Sequence, residues 1–201
     1  MKRAALLPLL LGLAATSCKR QEPFEILEPP PVPSLQRLWQ VPDFTFTERS
    51  GQTTQRADLA GKVWIADFFY TTCPGPCPML SSRLSAMQEQ LAERPDVRLV
   101  SISLDPEKDT PEVLKQYAER FKAGPNWLFL TGDKAMTYTL VQTGFKLAIA
   151  EERNSPEPIT HSTKLVLIDR EGWVRGFYEG VGQDQTEQLI KDIDKLLAEK
   201  P

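Results

Sequence analysis

Histidine and cysteine are scarce in this chain, which has one histidine, His161, and three cysteines, Cys18, Cys73 and Cys77. Three thiols cannot form the dense disulfide framework of small secreted domains. Disulfides are not needed to hold the fold together, because 201 residues with 41% hydrophobic side chains can build a core of their own. A single histidine also excludes the His-Glu-x-x-His metalloprotease motif.

Long runs of one residue class are missing as well. No basic run is longer than Lys19-Arg20, and the net charge is −3. The chain therefore lacks the positive footprint of a nucleic-acid-binding protein, and we exclude nucleic acid as a partner. The apolar run 4–15, interrupted by Pro8 and Gly12, is shorter than the roughly 20 residues that span a bilayer.

The N-terminus has the order of an export signal. Lys2 and Arg3 precede the apolar run, and small residues follow it. The ending Ala15-Thr16-Ser17-Cys18 resembles a bacterial lipoprotein cleavage box. That resemblance implies a signal peptide over residues 1–17 and a lipid on Cys18, which would anchor the protein to a membrane facing the periplasm. The alternative is an ordinary secretory signal that is cut near the same place.

Prolines dominate the segment that follows, with six between residues 19 and 42. This composition predicts a stiff, extended linker that would reach roughly 70 Å at about 3.1 Å per residue. We therefore expect residues 18–42 to be the lipidated cysteine and linker, and residues 43–201 to form one globular domain.

Strand and helix patterns alternate through that domain. This order predicts an α/β fold with a parallel or mixed central sheet covered by helices. A redox-type cysteine pair after the first core strand makes a thioredoxin-like fold the leading architecture. The expected strands are residues 44–47, 63–69, 97–104, 127–130, 164–168 and 173–179, and the expected helices are residues 81–92, 111–121, 133–143 and 184–199.

The pair Cys73 and Cys77 lies where a buried strand passes into a helix, among three prolines. A helix start favours thiolate over thiol. Four positions apart on a helix, two Cβ atoms are about 5–6 Å from each other. That spacing lets two thiolates bind one metal ion, and a disulfide would need only local adjustment. Both kinds of chemistry stay open at this point.

His161 precedes the predicted strand 164–168. In a thioredoxin-like topology the loop that enters this strand faces the cysteine loop, so the imidazole is a candidate third ligand. Two thiolates and one imidazole suit copper, which accepts three ligands as Cu(I) and a weak fourth as Cu(II). Structural zinc usually takes four protein ligands, although a carboxylate could supply the fourth.

Three blocks of sequence resemble the Sco/SenC family of copper-binding proteins, which assist the assembly of cytochrome c oxidase. They are DFFYTTCPGPCP at residues 67–78, the segment 103–121 and the segment 160–174, in the order of the family. The resemblance implies a thioredoxin-like fold and copper bound by Cys73, Cys77 and His161. It also implies a copper donor protein and an acceptor, the dinuclear copper site of oxidase subunit II.

Two functions remain in consideration. The first is a metallochaperone that passes copper on by ligand exchange. The second is a thiol–disulfide oxidoreductase in which Cys73 and Cys77 are the redox-active pair and reduce the acceptor's cysteines. The segment 160–164 lacks the proline that oxidoreductases of this fold place beside their cysteines, so we favour the first.

Three further side chains have competing interpretations. Asp105 and Asp109 resemble an acidic pair of the family that could contact a partner, but Asp109-Thr110-Pro111 is also good helix-capping chemistry. We favour capping. Met79 could lend a thioether to copper, and we favour packing for it instead.

Overall fold

The computed structural model describes residues 35–152, 155 and 158–199. The predicted signal peptide, the lipidation site Cys18 and the linker up to residue 34 lie outside the described residues. Within the described part of the chain, no helix is long and apolar enough to cross a membrane.

A mixed seven-stranded sheet with the order β2-β1-β5-β4-β3-β8-β9 forms the centre of the domain. Strands β3, β4 and β5 are parallel, whereas β1, β8 and β9 pair antiparallel with their neighbours. Helices flank this sheet, and the predicted α/β, thioredoxin-like class is confirmed. The strands are β1 (Thr45–Glu48), β2 (Thr53–Gln55), β3 (Val63–Phe69), β4 (Val97–Ser103), β5 (Trp127–Thr131), β6 (Ile149–Glu151), β7 (Ile159–His161), β8 (Lys164–Ile168) and β9 (Val174–Glu179), and the helices are α1 (Pro76–Gln90), α2 (Pro111–Arg120), α3 (Lys134–Thr139) and α4 (Thr186–Ala198), with a 3₁₀ turn at Arg56–Leu59 and a π-helical turn at Leu140–Gly144.

Strand β3 lies in the middle of the sheet, between β4 and β8, and all seven of its residues are buried. A strand covered on both faces needs a nearly continuous apolar run, and Val63 to Phe69 provides one that is interrupted only by Asp67. Helix α1 follows after a short turn and begins at Pro76 rather than at the predicted Ser81. Proline suits this position because its missing N–H would have no partner in the first turn.

Residues 35–41 pack against the domain, although the linker was predicted to continue to residue 42. The indole Nε1 of Trp39 donates to the Gly144 carbonyl at 2.7 Å, and Val41 is only 1% exposed. The backbone N–H of Leu38 donates to the Val174 carbonyl. Apolar residues between the prolines therefore bring this stretch into the folded domain.

A second, two-stranded sheet pairs β6 with β7 in antiparallel register, with Ile149 opposite His161. Each strand has only three residues, too few for a periodic pattern, and the sequence did not predict them. His161 thus ends a strand instead of lying in a loop. The ion pair between Lys134 and Glu151, at 2.6 Å, and a 2.7 Å hydrogen bond from Tyr138 to Glu151 connect this hairpin to α3.

Candidate metal centre

The first turn of α1 and the loop before it bring the two cysteines together. Both are free thiols and both are buried, with Cys73 7% and Cys77 1% exposed. The Cys73 side chain lies close enough to Cys77 to raise the pKa of its thiol. The backbone N–H of Cys73 donates to the Tyr70 carbonyl at 3.2 Å, which closes a turn between β3 and α1. The pair is therefore held in register before anything binds.

His161 meets Cys77 from the opposite side. Its Nε2 lies 3.5 Å from the Cys77 sulfur, and its Nδ1 lies 2.9 Å from the Ser162 carbonyl oxygen. Because a carbonyl can only accept, Nδ1 carries the proton of the neutral ring and Nε2 presents its lone pair to the thiol. This is the tautomer that a metal-binding imidazole needs, with the second nitrogen oriented by a backbone carbonyl.

The three predicted ligands converge in two pairs that share Cys77. Among the described residues, no group of three His, Cys, Asp or Glu side chains is close enough together to hold a metal ion as it stands. Cys77 contacts His161 at 3.5 Å and lies near Cys73. Binding of one ion by all three side chains therefore requires them to move closer together.

Burial sets the charge of this centre. It raises the pKa of the Cys77 thiol well above its usual range, the hydrogen bond with Cys73 raises it further, and a hydrogen bond with the Tyr70 backbone opposes them. At Cys77 burial therefore opposes the thiolate that the helix start was expected to favour. Removal from water outweighs the helix field here.

Two buried side chains of β3 and its exit complete the surroundings. The Tyr70 ring meets the His161 ring in a T-shaped contact with centroids 6.0 Å apart. Asp67 accepts a 2.5 Å hydrogen bond from Ser101 through one oxygen, while its buried Oδ2 has no hydrogen-bond partner among the residues that the structure describes. Burial raises the pKa of Asp67 to about 7, and the Ser101 hydrogen bond opposes that shift. Sequence reasoning gave neither residue a role.

The segment Asp109-Thr110-Pro111 caps α2 as predicted, but the N-cap is Thr110, whose side chain accepts from the Val113 N–H, and not Asp109. Asp109 is 0% exposed and accepts hydrogen bonds from Thr71 and Ser103. A carboxylate turned inward in this way cannot contact a partner, so the partner role predicted for Asp109 has no support. Asp105 is also buried and pairs with Lys108 at 2.8 Å.

Met79 lies on the other side of α1 from the buried face that carries Cys77. Its side chain is 61% exposed, so the predicted packing role is wrong. Positions two apart on a helix do not face each other, and a thioether at residue 79 is poorly placed to share a metal with Cys77.

The family model described as SCO1/SenC matches residues 34–198 of this chain. The chain belongs to the SCO1/SenC family. The match covers the described domain except residue 199, and it includes both cysteines, the histidine and the two elements that carry them.

Solved structures of family members resemble the domain closely. A SCO1/SenC family lipoprotein from Bacillus anthracis is 33% identical with a TM-score of 0.75, over 79% of this chain and 95% of that one. BsSco, described as a member of the Sco family of cytochrome c oxidase assembly proteins and studied for a disulfide switch, is 31% identical with a TM-score of 0.75, over 84% and 100%. ScoI from Arabidopsis thaliana with copper bound is 25% identical with a TM-score of 0.67, over 78% and 99%.

Proposed function

We propose that this protein is a copper metallochaperone that binds one copper ion through Cys73, Cys77 and His161. The observation that carries the proposal is the 3.5 Å approach of the Cys77 sulfur to His161 Nε2. The family relationship supports copper as the cargo, since the Arabidopsis relative was solved with copper bound. The ion is the substrate of the transfer, and the protein is more a carrier than an enzyme.

The chemistry of the three donors supports copper over zinc. Two soft thiolates and one imidazole satisfy Cu(I) and leave room for a weak further ligand on Cu(II). Structural zinc would require a fourth protein ligand, and the proposed set of Cys73, Cys77 and His161 supplies only three. A three-coordinate ion also leaves one side open, where the ligand of an acceptor can attack.

The proposed acceptor is the dinuclear copper site of cytochrome c oxidase subunit II, with a separate copper donor protein upstream. BsSco, a relative of 31% identity, is described as a member of a family of cytochrome c oxidase assembly proteins, which supports this choice. We propose further that residues 1–17 are removed, that lipidated Cys18 anchors the protein facing the periplasm, and that the linker holds the domain away from the membrane. The Bacillus anthracis relative is described as a lipoprotein.

The second candidate is a thiol–disulfide oxidoreductase that reduces the acceptor's cysteines. The observation in its favour is that Cys73 and Cys77 are both free and lie four positions apart on either side of the start of α1, a spacing from which a disulfide needs only local adjustment. The BsSco study reports a disulfide switch in that relative. In this alternative the two thiols of the pair become a disulfide while a disulfide of the acceptor becomes two thiols.

Titration of the fully reduced protein with Cu(I), in competition with a coloured chelator, tests the proposal. We expect one copper per chain for the wild type. A Cys73→Ser/Cys77→Ser variant should compete no better than buffer, and it is the matched control because the serines keep the side-chain size. Wild-type protein that takes up no copper would contradict the chaperone proposal.

A second assay, with a soluble copper domain of subunit II as the acceptor, separates the two candidates. It compares copper delivery to the reduced acceptor with reduction of the oxidised acceptor. A chaperone delivers copper to an acceptor whose cysteines are already reduced, whereas an oxidoreductase restores thiols in an oxidised acceptor without copper. Delivery without reduction supports the first candidate, and reduction without delivery supports the second.

A further inference from the structure

Asp109 is a buried carboxylate outside the predicted metal site, and it accepts an unusual set of hydrogen bonds. It is 0% exposed, and its oxygens accept from the Thr71 backbone N–H at 3.1 Å, from the Thr71 hydroxyl at 2.5 Å and from the Ser103 hydroxyl at 2.5 Å. Two of these three donors belong to one residue. Asp109 therefore fixes both the main chain and the side chain of Thr71.

Thr71 lies at the point where β3 leaves the sheet and turns toward the cysteines. The residue before it, Tyr70, accepts the backbone N–H of Cys73 and packs its ring against His161. Residues 70–71 are therefore in direct contact with two of the three predicted ligands, and Cys77 contacts His161 in turn. Asp109 holds this segment from the loop that precedes α2.

Stability alone is a weak reason for this carboxylate. Burying a charge is costly unless hydrogen bonds compensate for it, and burial does raise the pKa of Asp109 against the opposing hydrogen bonds from Ser103 and Thr71. The cap of α2 is supplied by Thr110 instead. Its hydrogen bonds connect the start of α2 to the loop of the metal centre.

We propose that Asp109 is a positioning residue of the metal centre, which holds Thr71 and so sets the distance between the cysteines and His161. The inference rests on the proposed function, because it concerns the geometry of the copper ligands. Asp109 touches neither the metal nor its ligands. Partners that orient metal ligands typically change metal affinity by about 10- to 100-fold when they are removed.

The first measurement uses the metal-free, reduced protein. Amide hydrogen exchange at Thr71, followed by NMR, should be about tenfold or more faster in Asp109→Asn than in the wild type, because the amide group keeps only one acceptor oxygen for three donors. Asp192→Asn is the matched control. Asp192 is also buried and accepts from Tyr178, Gln188 and Lys195, all of which belong to β9 and α4.

The second measurement is the Cu(I) affinity of the same proteins, together with the EPR spectrum after Cu(II) loading. We expect Asp109→Asn to weaken Cu(I) binding by about 10- to 100-fold and to alter the EPR signal, and Asp192→Asn to change neither. Thr71→Val keeps the shape of the side chain and removes only the hydroxyl, so we expect it to weaken Cu(I) binding as well. It replaces Asp109→Asn in the experiment if that variant does not fold. Thr71→Ser keeps the hydroxyl, so its Cu(I) affinity should lie within about twofold of the wild type. That change is much smaller than the loss of about 10- to 100-fold expected when an orienting partner is removed.

The failures are distinguishable. Wild-type protein that binds no copper would overturn the proposed function and this inference with it. Wild-type binding that persists unchanged in Asp109→Asn and Thr71→Val would overturn only the positioning role. Faster Thr71 exchange with unchanged copper affinity would also overturn it, because the loop would then be ordered by Asp109 without consequence for the metal.

Discussion

The sulfur of Cys77 lies 3.5 Å from Nε2 of His161, across 84 positions of sequence. The cysteine comes from the first turn of α1 and the histidine from the last residue of β7. The Ser162 carbonyl orients the imidazole so that its lone pair faces the thiol. Two of the three proposed ligands are thus in contact, and the third, Cys73, is a free, buried thiol four residues before Cys77.

Replacing His161 separates metal binding from thiol chemistry. We expect His161→Ala to lower copper affinity by at least about 100-fold, since the loss of a ligand exceeds the usual effect of its orienting partners. The reduction potential of the Cys73–Cys77 pair should shift by less than about 30 mV, which corresponds to tenfold in the equilibrium constant. Thr160→Ala, at an exposed position of the same strand, is the control. Comparable losses of affinity and potential would favour the oxidoreductase.

Copper affinity should rise with pH. Because burial raises the pKa of the Cys77 thiol, this group is protonated at neutral pH and must release its proton to bind as a thiolate. Each proton released adds about tenfold to the apparent affinity per pH unit. Competition titrations between pH 6 and 8 measure the slope, and Cys77→Ser should reduce it. A flat profile would mean that the thiols do not bind as thiolates.

Asp67 makes stability depend on pH. Its pKa is raised from 3.8 to about 7, so the folded state favours the neutral acid. The destabilisation by its charge is therefore absent below pH 3.8, grows through the window up to about pH 7 and is fully present above it. At 1.36 kcal/mol per pKa unit, Asp67→Asn should stabilise the metal-free protein by up to about 4 kcal/mol at pH 8. Urea unfolding at pH 5 and pH 8 checks this, and a gain that is equal at both pH values would contradict it.

Gly180 has no room for a side chain beside the metal centre. A Cβ there would overlap the Thr163 carbonyl oxygen and the Leu80 side chain, which belong to the segment after His161 and to α1. We expect Gly180→Ala to lower the free energy of unfolding by about 1–3 kcal/mol and to weaken copper binding. At Gly124 a Cβ would meet only the Gln88 side chain at 3.6 Å, so Gly124→Ala is the control. Equal free energies of unfolding for the two variants would show that the segment around Thr163 shifts to make room for the added Cβ.

The N-terminal boundary of the folded domain can be tested by truncation. A fragment of residues 43–201 loses buried Val41 and the Trp39 hydrogen bond. We expect it to be at least about 2 kcal/mol less stable than a fragment of residues 35–201, because burial of one valine alone contributes about 1.5–3 kcal/mol. Urea unfolding of both fragments measures the difference. Equal midpoints would restore the predicted boundary at residue 42.

Sequence patterns predicted the central strands well. The bounds expected for β3 and β8 are those of the structure, because a strand buried on both faces must be continuously apolar. The start of α1 was placed too late, since its apolar period begins only at Leu80 and the first turn consists of prolines and Cys77. The preference of proline for the first helical turn could have corrected it.

The charge state of Cys77 shows where local rules fail. A helix start stabilises a nearby negative charge by about 0.3–1 kcal/mol. Full burial shifts a pKa by up to 3–5 units, at 1.36 kcal/mol per unit, and therefore dominates. The sequence indicated that a helix follows the cysteine pair, but it did not indicate that Cys77 would be 1% exposed.

Contacts between distant segments were the least predictable part of the candidate site. The approach of His161 to the cysteine loop was expected from the topology, yet β7 itself was too short to detect. The hydrogen bond from Thr71 to Asp109 joins residues 38 positions apart. It depends on how the start of α2 packs against the end of β3. No local pattern encodes that distance.

Copper K-edge X-ray absorption of the reduced protein loaded with one equivalent of Cu(I) tests the central claim most directly. We expect two sulfur scatterers and one nitrogen scatterer, with the nitrogen lost in His161→Ala and the sulfurs lost in Cys73→Ser/Cys77→Ser. A first shell without the imidazole nitrogen in the wild type, or a shell unchanged in His161→Ala, would contradict the claim that Cys73, Cys77 and His161 bind copper together.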